Sequence, residues 1–140
     1  MILRCNYEEV RALASGGRSL LGGEPYSPAP VLAPTESRAR IEALLPHLVG
    51  DLSVESLAQA RGMELAVEAI VEHLRKEMEE AVLATHAADE IAVAAYFDFA
   101  HALSVAQRLR EMIGEMEAVV ELVTGASAEG ETARTFRFPD

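Results

Sequence analysis

From Asp89 to Val123 the chain runs for 35 residues without a proline and keeps helical apolar spacing throughout. Wound at about 100° per residue, Ile91, Ala95, Phe99, Ala102, Ala106, Leu109, Ile113, Met116 and Val120 fall on one stripe. At a rise of 1.5 Å per residue, a helix of that length spans about 50 Å. One small domain cannot cover so long a rod along its whole length. Its first half is apolar on a second side as well, through Val93, Tyr96, Phe97, Ala100 and Leu103. A helix with two apolar sides needs two packing partners.

A second helical stripe precedes it: Val67, Ile70, Val71, Leu74, Met78, Ala81 and Val82, with Glu64, Glu68, Glu72 and Glu79 on the opposite, wet side. Glu72 and Lys76 have the spacing of a favourable i,i+4 pair. Only His86 to Asp89 separates the two long segments, so they are expected to lie antiparallel. Asp89 suits the N-terminus of the long helix, and His86 the C-terminal end of the one before it. Upstream, Asn6 with Glu9 three residues later forms an approximate capping box for a helix from Tyr7 to about Leu21. Gly16-Gly17 threatens to end it early, and Gly22-Gly23 stops it. Residues 22–34 hold four prolines and read as a connector. Thr35 then caps a helix from Glu36 to Leu45, and Ser53 caps a third helix expected to kink or break at Gly62. The expected fold is all-α: a single helical domain, residues 1–140, of about four helices dominated by the hairpin Met63–Thr85 against Asp89–Val123. In the tail, 126–140, Thr135-Phe136-Arg137-Phe138 alternates like a strand. It is expected to pair with Ile2–Cys5, of its own or a neighbouring copy, to dock on a partner, or to fray.

Composition narrows the function classes. Half the residues are apolar and aromatics make up 5%, with no Trp, which is helix composition. The start of the chain has no apolar signal-peptide core, and no uncharged run approaches the roughly 20 residues that span a bilayer. Cys5 is the single cysteine, so no intramolecular disulfide exists. A cytoplasmic location is the default expectation. Net charge is −11, and Glu64 to Glu121 holds 13 acids against Arg75, Lys76, Arg108 and Arg110, a balance of −9. Phosphate backbones are repelled by such a surface, so nucleic acid is not an expected partner. Ala58 and Gly62 have the spacing of a helix-turn-helix opening, but the helix that follows offers three glutamates before its first arginine.

The side chains able to carry chemistry are few. Asp98 and His101 stand at i,i+3 on the long helix, and His73 and Glu77 at i,i+4 on the preceding arm. Carboxylate and histidine on facing helices are how bundle proteins hold metal ions. A di-iron centre needs two Glu-x-x-His repeats, and the chain has one Asp-x-x-His instead. His101 also sits about 60° away from Asp98. The competing reading gives Asp98 a structural partner, an Arg, a His or its own copy across an interface. No nucleophile elbow or phosphate loop is present, so no catalysis and no cofactor are expected. Self-association through Val93, Tyr96, Phe97, Ala100 and Leu103, as a homodimer or larger assembly serving as scaffold or adaptor, is the leading reading. The alternatives are a divalent-metal protein built on His73, Glu77, Asp98 and His101, and an acidic mimic of nucleic acid that binds a basic protein. No membrane contact is expected.

Overall fold

The computed structural model describes residues 1–22, 35–85 and 90–124, with Thr35, Glu36 and Thr85 described by backbone alone. The proline-rich connector, the turn from His86 to Asp89 and the tail lie outside the described residues. So do the caps expected from Thr35 and Asp89.

The fold is all-α apart from one small sheet. In chain order it comprises β1 (Ile2–Leu3), α1 (Tyr7–Leu20), α2 (Thr35–Leu44), a 3-10 turn (Leu45–His47), β2 (Leu52–Ser53), α3 (Leu57–Thr85) and α4 (Glu90–Thr124). Helices α3 and α4 pack closely along their length, α1 lies against both, and α2 packs on α3. β1 pairs antiparallel with β2, Ile2 opposite Ser53 and Leu3 opposite Leu52. The N-terminal strand therefore finds its partner just ahead of α3.

Ser53 belongs to that strand and caps nothing; the helix begins three residues beyond the expected start, where Ser56 Oγ accepts the Gln59 N–H at 3.0 Å. Helix α3 then runs through Gly62 without interruption. No second helix starts there, which removes the geometric basis for a helix-turn-helix as well. The expected Glu72–Lys76 pair is replaced by a fork: Arg75 bonds Glu72 on one side and Glu79 on the other, the latter at 2.9 Å. A planar guanidinium satisfies two carboxylates, one a turn before it and one a turn after, whereas an ammonium acts as a single point.

At the start of α1 the capping box is complete. Glu9 N–H donates to Asn6 Oδ1 at 2.8 Å and Asn6 N–H donates to Glu9 Oε1 at 2.9 Å. Gly16 and Gly17 do not end the helix; both are buried because two other elements approach there. A Cβ on Gly16 would stand 2.8 Å from Ile70 Cγ2, and one on Gly17 would stand 3.0 Å from Leu45 Cδ2. Tertiary contact overrides the helix-propensity cost of glycine. Gly22, at φ +82°, stops the helix as expected.

The core follows the sequence stripes over the middle of the hairpin and thins toward its turn. Val67, Ile70 and Leu74 on α3, with Ala102, Val105, Ala106 and Leu109 on α4, are buried against Leu13, Ile41 and Leu44. Further along, Met78 and Ala81 are half-buried and Val82 is exposed. Ile91, expected at the head of the inner stripe, is exposed too. The reason is length. Helix α1 has 14 residues, about 21 Å, whereas α3 and α4 have 29 and 35, about 43 and 52 Å. The described helices α1 and α2 are too short to cover the hairpin along its whole length, although Ala92 near the start of α4 is buried. Among the described residues no helix is long and apolar enough to cross a membrane.

Gly114 gives a direct test of this packing. Helix α4 passes straight through it, and a Cβ there would meet nothing within 4 Å. Gly114→Ala is expected to stabilise the protein by about 0.5–1 kcal/mol, through helix propensity and a less flexible unfolded chain. A thermal melt that fails to rise would contradict a continuous helix at this position.

Candidate functional site

The four residues singled out for metal chemistry do not gather into one cluster, although Glu77 and Asp98 line the same cleft between α3 and α4. His73 and Glu77 lie on the side of α3 that meets the end of α1. There Ser19 Oγ is 3.0 Å from His73 Nε2 and donates to Glu77 Oε2 at 3.5 Å, and Glu77 Oε1 stands 3.5 Å from the same His73 nitrogen. Asp98 is claimed by α1: Arg11 Nη2 donates to its Oδ1 at 2.6 Å while also pairing with Glu8. The Asp98 pair and the neighbouring Glu8 raise the pKa of the Arg11 guanidinium further, against a smaller opposing effect of burial. His101 sits beside Phe97, their ring centroids 6.5 Å apart. Among the described residues, no group of three or more His, Cys, Asp or Glu side chains is placed to hold a metal ion.

Serine, histidine and glutamate in contact invite comparison with a hydrolytic relay. The geometry is different. In a relay the carboxylate holds one ring nitrogen so that the other can take the serine proton. Here Ser19 and Glu77 both address Nε2. Ser19 also lies one residue from the C-terminal end of α1, the carbonyl end, which supplies no amide donors for an oxyanion. The three side chains form a polar clasp joining α1 to α3, and nothing in it is poised for acyl transfer.

A second polar knot joins α1 to α4. Glu9 is 6% exposed, and its carboxylate lies 2.5 Å from Arg108 Nη2. Arg108 also donates to the Arg4 carbonyl just after β1. Burial opposes ionisation of Glu9, but the Asn6 N–H, Arg108 and Ser104 outweigh it and hold the carboxyl below its ordinary pKa. Sequence reasoning took Glu9 for a cap and did not give it this second role. The signal available was an arginine, Arg108, next to the inner stripe of α4 with no acid within a helical turn before it.

The remaining feature is apolar. Toward the hairpin tip, Tyr96 and Phe97 are 54% and 53% exposed, Val93 is 41%, and Leu83 on the facing arm is 87%. Tyr96 and Phe97 meet edge to face at 5.8 Å, which stiffens the pair. Ala100 and Leu103, further from the tip, are half-buried. From Ile91 to Gln107 helix α4 carries Asp98 as its only acid and no Lys or Arg, and Asp98 is neutralised by Arg11. The strip is therefore a charge-poor interval on a chain of net charge −11.

No protein-family model, no curated protein and no solved structure matches this chain.

Proposed function

We propose that the protein works without catalysis, by self-association, and that its hairpin tip is the contact surface of a homodimer serving as a scaffold. The observation that supports this most is the exposure of Tyr96 and Phe97 side by side on α4. Exposed aromatic pairs on a charge-poor strip are characteristic of interface cores. A second copy is the occupant that fits best. Two chains of net charge −11 repel through most of their surfaces, and this strip lets them meet without placing like charges opposite each other. Two hairpin tips crossing at about 20° would complete a four-helix bundle, a two-fold arrangement in which Tyr96 and Phe97 of each copy bury the other's.

Size-exclusion chromatography with light scattering tests this. The wild-type protein is expected to elute as a dimer. Tyr96→Ala together with Phe97→Ala is expected to weaken association about 100-fold or more and yield a helical monomer, because two central aromatic anchors are removed. A wild-type protein that stays monomeric at high concentration would end the proposal. Elemental analysis of the same peak addresses the metal alternative: near-stoichiometric iron, manganese or zinc, lost on Asp98→Ala, would replace the scaffold reading with that one.

A further inference from the structure

The opposite end of the hairpin holds a different surface. Between the start of α3 and the last third of α4 lies a cleft of about 690 Å³, floored by Leu57, Met116, Val119 and Val120 and edged by Glu55, Glu115 and Arg61, the last held by Glu117 at 2.6 Å. From Glu111 to Thr124, α4 carries four glutamates and no base. With Arg61 committed to Glu117, Glu55 and Glu115 are the rim charges open to a partner, and with an apolar floor they favour an aromatic segment flanked by cations.

The chain contains such a segment. Residues 134–138 read Arg-Thr-Phe-Arg-Phe and hold two of its four phenylalanines, within a tail that is otherwise polar or small-residue. Residues two apart share a face on an extended chain, so Arg134, Phe136 and Phe138 form one set. The reach also fits. Helix α4 ends at Thr124, with Val120 about 6 Å and Glu115 about 14 Å back along its axis. Eleven residues, 125 to 135, separate Thr124 from Phe136, and a chain of that length can reach up to about 36 Å, well beyond this distance. We propose that this cleft is the docking site of the chain's own segment 134–138, with Phe136 and Phe138 on the apolar floor and Arg134 against the glutamate rim.

The test uses the full chain and chymotrypsin, which cuts after Phe136, with the products read by mass spectrometry. Val119 is more than half exposed, so Val119→Lys occupies the cleft and repels Arg134 without disturbing a core contact. It is expected to speed cleavage after Phe136 about tenfold, because proteolysis follows the population of the undocked form. Helicity by circular dichroism should stay at the wild-type level, and Leu83→Lys at the hairpin tip should leave the cleavage rate unchanged. Equal rates for wild type and Val119→Lys would overturn the proposal. So would wild-type protection that disappears on roughly hundredfold dilution, which would assign the cleft to another copy's tail. The Tyr96→Ala/Phe97→Ala variant separates the two surfaces, since it should become monomeric with Phe136 still protected.

Discussion

Glu9→Ala is expected to lower stability by about 2–4 kcal/mol, a drop of the order of 10 °C in melting temperature for a chain of this size. One carboxylate there serves two ends of the fold. It closes the capping box on α1, accepting the Asn6 N–H, and it neutralises Arg108, whose guanidinium reaches from α4 to the Arg4 carbonyl. Truncation removes a cap worth about 1 kcal/mol and leaves Arg108 a partly buried cation without its counter-charge. Glu9→Gln separates these roles, because glutamine at this position still closes a capping box. It should cost less than Glu9→Ala, and combining Glu9→Ala with Arg108→Ala should cost less than the two single losses added together.

The same pair fixes an acid dependence. The Glu9 carboxyl is held below its ordinary value of 4.5, so the folded state binds its proton less readily than the unfolded chain does. Its contribution is fully present above about pH 4.5 and is lost as pH falls through the depressed folded-state pKa. Denaturant titrations of wild type and Glu9→Gln between pH 7 and pH 3 should therefore converge toward the acid end. Parallel curves would mean that the Arg108 contact does not act on the ionised carboxylate.

What the sequence disclosed and what it concealed follow from the range of each interaction. Local rules placed the Asn6–Glu9 box, the stop at Gly22 and both long helices to within a few residues, except at the start of α3. That start was misjudged because Leu52 and Ser53 were free to cap a helix or to join a strand. The choice was made by Ile2 and Leu3, some fifty residues away. Periodicity identified the inner stripe of α4 but could not say where its cover ends, so Ile91 was counted as core although it is exposed beside the buried Ala92. Tyr96 and Phe97 were legible as surplus apolar surface because they fall off the stripe, and no knowledge of the neighbouring helices was needed. Asp98 was legible only as a carboxylate in need of a partner. Its partner, Arg11, sits 87 positions earlier, and such pairs leave no trace in local spacing.

Gly16 carries the other large expected effect, and helix propensity alone gives that effect the wrong sign. Its position inside α1 suggested a weak helix, so replacement by alanine ought to help by about 0.5–1 kcal/mol. The packing reverses this. A Cβ at Gly16 stands 2.8 Å from Ile70 Cγ2 and 3.1 Å from Leu74 Cγ, both on the buried face of α3. Leu74 borders a cleft, but Ile70 is β-branched and fully buried in the core, so its Cγ2 has little room to move. Gly16→Ala is therefore expected to cost about 1–2 kcal/mol net, and Gly16→Val about 3 kcal/mol or more, as overpacking separates α1 from the hairpin. Urea titrations of both variants measure this directly. Ile70→Ala removes the clashing methyl, so Gly16→Ala with Ile70→Ala should be more stable than the sum of the single changes predicts. Strict additivity would mean that α1 does not lie against α3 at this glycine. The clasp of Ser19 with His73 and Glu77, one helical turn further on, depends on the same close approach and should loosen with it.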